Sequence, residues 1–525
     1  MKTKLFKRLG ATVLALGMAL SVMAIPTSAI ESTDTGTITV NNVGPGVTVN
    51  AYQVMSVNYN YEPVDQPVEP VYVWVDSVAD WLEHADNAYG SYINDENNAV
   101  TDAFEAASST DLAAFYDALA NYVVSQNMSA SGSATNNSQT EDADVTIEGL
   151  AMGNYLLLVT GGTRLYSPAS ATIAPYRNNN ETEENTSDDY WDIQNVEVDL
   201  KSSNPDVEKT VDDTSVQIGQ TVNFTITADV PQYPANATQK TFTITDTMTS
   251  GLALTENAPV VVGVSNEGAE TPLVLDTHYT YTPNGQSFTI DFNYDEVSSY
   301  TSIKVTYSAI VTADAVTVDD VTNTAKLTYD TNPYVDSNYE TDGDDVEVYT
   351  YGIDVTKTDK DDVAITNNPA TFTLSTNNDG SNLLSFVGSE GSYRLATADD
   401  QNTTTDLQTS NNGTLVISGL TTGTYYLTET VAPQGFVLPL DRITEVVISD
   451  TNANGLVDTT VEEQVVDGDD EYVDVRVENI SEEDGVPSLP TTGGMGTILF
   501  TTVGLVLVGG AAILLVVMYK RKKEN

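Results

Sequence analysis

Seven lysines stand between residues 30 and 492: Lys201, Lys209, Lys240, Lys304, Lys326, Lys357 and Lys360. Two of them conflict with the pattern around them. Val207-Glu208-Lys209-Thr210-Val211-Asp212-Asp213 and Val355-Thr356-Lys357-Thr358-Asp359-Lys360-Asp361 read as alternating strands that place the lysine on the core side. Removing an amine from water penalises its charged form, so a core lysine is driven towards a neutral, nucleophilic amine. A mismatch of this kind between residue type and position often marks function. Other chemistry is sparse. The chain has two histidines, His84 and His278, and neither a Gly-rich phosphate loop nor a nucleophile elbow. Independent enzymatic turnover is not expected, and no cofactor is implied. Asp450-Thr451-Asn452-Ala453-Asn454-Gly455-Leu456-Val457-Asp458 has the oxygen spacing of a calcium loop, but Val461 fills the twelfth position. An Asn-Gly turn between two strands is the expected reading, and no metal site is assigned.

The ends of the chain carry transport signals. Lys2, Lys4, Lys7 and Arg8 precede an apolar stretch from Leu9 to Ile25, followed by Thr27-Ser28-Ala29. This is the pattern of a secretory signal peptide over residues 1–29. At the other end, Leu489-Pro490-Thr491-Thr492-Gly493 precedes an apolar run from Gly494 to Tyr519 and then Lys520-Arg521-Lys522-Lys523. The run is long enough for one membrane-spanning helix, and the basic cluster would hold its end on the cytoplasmic side.

Between these signals the chain is strongly acidic. The whole sequence has 76 Asp and Glu against 20 Lys and Arg, and residues 30–492 keep 75 against 12, a net charge near −63. Nucleic acid and anionic lipid would be repelled, so neither is an expected partner. Cysteine is absent, so an exported protein forgoes the usual covalent staple.

The length suggests three domains: 30–195, 196–350 and 351–482, followed by a linker and sorting signal over 483–525. Thr/Val-rich alternation broken by Gly and Asn turns argues for a mainly β chain of tandem immunoglobulin-like β-sandwiches. The first domain carries helical insertions. Leu112, Phe115, Tyr116, Leu119, Tyr122 and Val123 recur at helical spacing, with Thr110 or Asp111 as the expected N-cap, and residues 78–84 suggest a shorter helix. The fold expected is therefore β-sandwiches in series, ending in a transmembrane sorting helix.

Tyr425-Tyr426-Leu427-Thr428-Glu429-Thr430-Val431-Ala432-Pro433-Gln434-Gly435-Phe436 resembles the YxLxETxAPxGY motif, the E box, of Gram-positive pilins and collagen-adhesin B-type domains. Only the last position differs, with Phe for Tyr. The resemblance implies an intramolecular isopeptide bond between Lys357 and Asn479 assisted by Glu429, with Val475-Arg476-Val477-Glu478-Asn479 as a last strand beside the first. A buried glutamate is driven towards its protonated form, able to polarise a carboxamide that a neutral amine attacks. A buried Lys357–Glu429 ion pair is the plainer alternative. The second domain resembles middle pilin domains in Lys209, Asp246 and Asn323, where Asp takes the acid's part. Asp246 as a mere turn stabiliser is the alternative there. Gly149-Leu150-Ala151-Met152-Gly153-Asn154-Tyr155 resembles the approach to an E box without its Glu. Without a lysine, the first domain cannot form such a bond, and it is expected to be the least stable of the three.

Trp191, Val196, Val198 and Lys201 are similar to the WxxxVxVYPK motif of sortase-assembled backbone pilins, with one extra residue after Trp191 and Asp199-Leu200 in place of Tyr-Pro. Leu489–Gly493, with the apolar run and basic tail, resembles the wall-sorting signal that sortases cut between Thr492 and Gly493. The resemblance implies a major pilus subunit, joined head to tail through Thr492 and Lys201, with Lys240 the next candidate acceptor. Its implied partners are identical subunits, pilus and housekeeping sortases, accessory pilins and peptidoglycan. A contact of this kind cannot close on itself, so it grows a filament. The alternatives are a monomeric wall-anchored adhesin that binds a host or matrix ligand, and a wall-anchored enzyme, for which no catalytic constellation is seen.

Overall fold

The computed structural model describes residues 33–60, 66–178, 190–318, 320–458 and 471–482. The signal sequence 1–29 and the sorting signal 489–523 lie outside these residues. Three hydrophobic cores divide the described chain.

In the first body, the opening strand Thr35–Val43 lies between Ala143–Ala151, antiparallel, and Val196–Asp199, parallel. A second sheet is built around Thr48–Asn60, Gly153–Thr160 and Ala169–Asn178. The helix Ser109–Ser125 covers it and buries Leu112, Phe115, Tyr116, Leu119 and Val123. Its N-cap is Ser108 rather than Thr110 or Asp111. Asp111 sits at the third helical position and completes a capping box, so the acidic residue serves the cap without being it. The shorter helix spans Asp76–Leu82.

This body also extends past residue 195. Val196 and Val198 pair with Ile38 and Val40, and Ser202–Ser203 pairs with Leu165–Tyr166. The reason lies in alternation: Val198 is buried and Val196 packs against the first core, so the segment is a core-facing strand rather than a connector.

The second body is a two-sheet sandwich. One sheet holds Val207–Val211, Thr221–Asp229, Ser302–Val311 and Val260–Val264. The other holds Tyr279–Asn284, Ser287–Phe292, Phe242–Met248 and Thr322–Asp330. Inward residues alternate along all of these strands but Tyr279–Asn284, as a face buried on one side requires.

The third body pairs its opening strand Tyr351–Asp359 in parallel with its closing strand Tyr472–Ser481, Lys357 lying opposite Val477 and Asp359 opposite Asn479. The E-box strand Gly423–Val431 lies in the facing sheet with Thr371–Ser375 and Ile443–Ile448. The first body repeats this frame. In both, the opening strand has a parallel partner at the end of the body, and a G-L-x-x-G-x-Y corner joins two strands. The Tyr155 hydroxyl donates to the Ala151 carbonyl at 2.7 Å, and the Tyr425 hydroxyl to the Thr421 carbonyl at 2.9 Å. Gly153 and Gly423 both have positive φ, 151° and 153°.

The bodies meet directly. Ile218 of the second inserts its side chain into the third core, and its N–H donates to the Gly419 carbonyl at 3.0 Å. Between the first and second, the Asn332 amide donates to the Val159 carbonyl at 3.1 Å and the Tyr329 hydroxyl to the Thr163 carbonyl at 2.5 Å.

Candidate functional site

Alternation brings the E-box acid inward. Tyr425, Leu427 and Glu429 are the buried residues of their strand, and Glu429 is 1% exposed. Lys357 and Asn479 occupy inward places on the parallel opening and closing strands and are likewise sealed from water. The lysine side chain runs along its strand towards the asparagine. Nζ of Lys357 donates to Oδ1 of Asn479 at 2.5 Å and to the Val477 carbonyl at 2.8 Å. Asn479 Nδ2 donates to Oε1 of Glu429 at 2.9 Å, and Oε2 of Glu429 lies 4.0 Å from Lys357 Nζ. Glu429 Oε2 makes no hydrogen bond. Burial pulls the Lys357 amine down to about 8 against the opposing pull of Glu429, and pushes the Glu429 carboxyl up. The three groups are thus one buried cluster, biased towards neutral amine and carboxylic acid, with a carboxamide between them.

Lys209, Asp246 and Asn323 are also brought together, from three strands and both sheets. Lys209 Nζ donates to Oδ2 of Asp246. Asp246 and Asn323 stand on neighbouring strands, where Met248 pairs with Asn323 and Asp246 with Ala325. All three are buried. Burial lowers the Lys209 pKa and raises that of Asp246, each opposed by the other's charge. Sequence reasoning missed a fourth member, Tyr307. Its hydroxyl accepts from Lys209 Nζ at 2.6 Å and from Asn323 Nδ2 at 2.7 Å, and donates to Asp246 Oδ2 at 2.7 Å. In Lys304-Val305-Thr306-Tyr307 only the alternation was legible, and it says no more than that this tyrosine faces the core.

Among the described residues of the first body no equivalent cluster forms. Glu429 follows Tyr425 by four residues; the residue four after Tyr155 is Val159. The opening strand breaks register between Val40 and Val43, with Asn42 at φ 53° where a crosslinking lysine would stand.

Lys201 lies just beyond the strand Val196–Asp199. Its backbone is fixed, since its carbonyl accepts from Ser167 N–H at 2.9 Å, while its side chain is exposed. Lys240, Lys304, Lys326 and Lys360 each have a carboxylate partner: Asp295, Glu270, Glu340 and Asp361. Among the described residues, Lys201 alone of the seven lysines is both exposed and without such a partner. Trp191 belongs to the strand Tyr190–Gln194, which pairs with Ala169–Asn178.

The Asp450–Asp458 loop satisfies its own carboxylates. Asp450 Oδ2 accepts from the Tyr351 hydroxyl and from Gly455 N–H, both at 2.8 Å. Asp458 accepts from Ser449 at 2.6 Å and from Thr451 at 3.1 Å. Among the described residues no group of three or more His, Asp or Glu side chains is arranged to hold a metal ion.

Residues 352–463 match the SpaA prealbumin-like fold domain, and residues 481–525 match the LPXTG cell wall anchor motif. The trypsin-resistant surface T6 protein of Streptococcus pyogenes serotype M6 is 24% identical over 315 residues, 54% of this chain. The match spans about half of that relative, 54% of its length. Among solved structures, the T6 backbone pilin of serotype M6 Streptococcus pyogenes, a modular three-domain protein, superposes with a TM-score of 0.56. That superposition covers 87% of this chain and 100% of the other at 17% identity. The full-length major pilin SpaD from Corynebacterium diphtheriae covers 86% of this chain and 99% of its own at 18% identity, with a TM-score of 0.48. Fold, domain and anchor motif together define the class: a cell-wall-anchored surface protein of β-sandwiches in series. Its three-body fold is that of a backbone pilin.

Proposed function

We propose that this chain is the major shaft subunit of a sortase-assembled pilus, stiffened inside each of its last two bodies by a Lys–Asn isopeptide bond. The observation that carries this reading is the buried cluster of Lys357, Glu429 and Asn479, which ties the opening strand of a body to its closing strand. In the third body, neutral Lys357 attacks Cγ of Asn479 and the Nζ–Cγ bond forms. Glu429 relays one proton from Nζ to Nδ2, the Cγ–Nδ2 bond breaks, and ammonia leaves. Proximity inside a dry core supplies the rate that water would deny. The second body forms the same kind of bond between Lys209 and Asn323, with Asp246 as its acid. Pulling a subunit at its two ends then loads the crosslinks rather than the hydrogen-bonded ladders.

Polymerisation requires a reachable amine. Lys201 offers one on a fixed backbone, free of the carboxylates that hold the other surface lysines. The acyl group of Thr492 would pass to it from a sortase, and a housekeeping sortase would pass the last subunit to peptidoglycan. Two measurements test the proposal. Intact mass of the secreted chain should fall by two ammonia molecules; a fall of none or three overturns the crosslink assignment. Wall extracts on denaturing gels should show a high-mass ladder that Lys201→Ala abolishes and Lys240→Ala leaves intact. A single band from the parent strain would instead favour a monomeric wall-anchored adhesin.

A further inference from the structure

We propose that Tyr307 is a catalytic residue of the second body's crosslink, its hydroxyl carrying the proton from the lysine to the departing amide nitrogen. This rests on the reading that Lys209 and Asn323 become joined. The two clusters solve the same problem with acids of different length. In the third body one carboxylate spans the reaction, Oε1 on Asn479 Nδ2 at 2.9 Å and Oε2 4.0 Å from Lys357 Nζ. Asp246 is one methylene shorter, and it makes no hydrogen bond to Asn323. The Tyr307 oxygen fills that gap, 2.6 Å from Lys209 Nζ and 2.7 Å from Asn323 Nδ2. It therefore touches both the atom that must lose a proton and the atom that must gain one.

The remaining atoms of the cluster fit this division. Asp246 Oδ1 and Asn323 Oδ1 are both buried without a hydrogen-bond partner. Their strands place them on one inward face, a diagonal step apart. Two orphan acceptors on one buried face are costly, and a proton on Asp246 that reaches Asn323 Oδ1 would relieve both. Protonated Asp246 then donates to the amide oxygen of Asn323, where negative charge develops during attack. Nζ bonds to Cγ and hands its proton to the Tyr307 oxygen. Tyr307 turns its own hydrogen from Asp246 to Nδ2, the Cγ–Nδ2 bond breaks, and ammonia departs. The proton count closes with Tyr307 and Asp246 unchanged, and no oxidant or further reactant is needed. The ring is held for this task. It stacks on Phe224 with centroids 5.5 Å apart and meets Phe288 edge-on at 4.9 Å. Burial raises the phenol's pKa, which keeps it a hydroxyl rather than a phenolate.

The test is intact mass and tryptic mapping of the full-length chain carrying Tyr307→Phe, beside Phe224→Leu and Lys209→Ala. The parent must show the Lys209–Asn323 crosslink; its absence there sinks the underlying reading rather than this one. Given that bond, Tyr307→Phe should retain the Lys357–Asn479 bond and form the Lys209–Asn323 bond at least tenfold more slowly. Phe224→Leu, which disturbs packing but keeps the hydroxyl, should still form it. Equal crosslinking in Tyr307→Phe and parent overturns the proposal, as does equal loss in Phe224→Leu. Should Tyr307→Phe not fold, difluorotyrosine at position 307 keeps the ring and weakens the hydroxyl's basicity. An unchanged rate there is equally decisive against the relay.

Discussion

The Tyr334 hydroxyl of the second body donates a 2.6 Å hydrogen bond to Asp117, midway along the long helix of the first. Asp117 also accepts from the backbone N–H of Asn236 at 2.7 Å and from its side-chain amide at 3.0 Å. Tyr334 itself packs into the first core. One buried carboxylate thus anchors two loops of the neighbouring body. Asp117→Ala should cost roughly 2–3 kcal/mol, because it strands the Tyr334 hydroxyl and the Asn236 N–H in a place water reaches poorly. Thermal unfolding should show the first transition lowered, and limited proteolysis should cut between the bodies sooner. An unchanged profile in both would mean the latch contributes nothing to holding the bodies together.

Glu429→Gln removes the acid and leaves Lys357 and Asn479 in place, so the third body should fold without the proposed crosslink and retain one more ammonia by mass than the parent. The two residues are 122 positions apart, and opening so long a loop should lower stability by about 5 kcal/mol on loop entropy. The free amine makes this variant pH-sensitive. Burial pulls the folded Lys357 amine down from an ordinary lysine value of 10.5 to about 8 even with Glu429 beside it, and losing that carboxylate's opposing pull in the variant lowers it further. Between those values the unfolded chain holds the extra proton, so stability should rise with pH, by about 3 kcal/mol across the window. If the parent's Lys357 nitrogen has become an amide as proposed, the parent should be flat over the same range. Denaturant midpoints from pH 8 to 10.5 make the comparison.

Much of this arrangement could be read from the chain, and the limits of that reading follow from which contacts are local. The resemblance to the E box implied that Glu429 is the buried acid, and the misplaced lysines at 209 and 357 announced two buried amines. Tyr307 gave no sign, because an aromatic at a core-facing strand position is ordinary. Its role exists only once a strand 98 residues away lays Lys209 beside it. Asp117 gave no sign either: it stands on the helix face opposite the apolar stripe, where an acid is ordinary, and its partners Asn236 and Tyr334 belong to another body. The extension of the first body to Ser203 was hidden for a related reason: Val196 and Val198 alternate as any strand opening the next body would. Only their pairing with Ile38 and Val40 assigns them.

The Asp450–Asp458 loop should be indifferent to calcium. Its acidic oxygens already accept from Tyr351, Gly455, Ser449 and Thr451, so a cation would have to replace good hydrogen bonds rather than fill a vacancy. Melting of the third body should be the same with a chelator as with millimolar calcium. A shift of several degrees upward with calcium would mean that the loop opens and rebuilds around the ion. Tyr351→Phe, by contrast, should lower stability by about 1 kcal/mol, since it removes one donor to a partly buried carboxylate.

The first body should unfold before the others, and its weakness should lie in the missing crosslink rather than in core size. It has the frame of the third body, a parallel partner for its opening strand and the same tyrosine corner, yet Val159 stands where the acid would be and Asn42 where the lysine would be. Nothing covalent therefore resists separation of Thr35–Val43 from Val196–Asp199. Calorimetry of the full chain should resolve a low first transition that Lys357→Ala and Lys209→Ala leave unmoved. Gly153→Ala should lower that transition further or abolish it. A Cβ there would lie 2.1 Å from the Met55 carbonyl oxygen in a backbone of φ 151°, a clash with main chain that no side-chain adjustment relieves. If the first body instead melts with or after the other two, hydrogen bonding and packing alone suffice for this frame. The crosslinks would then serve resistance to pulling, not thermal stability.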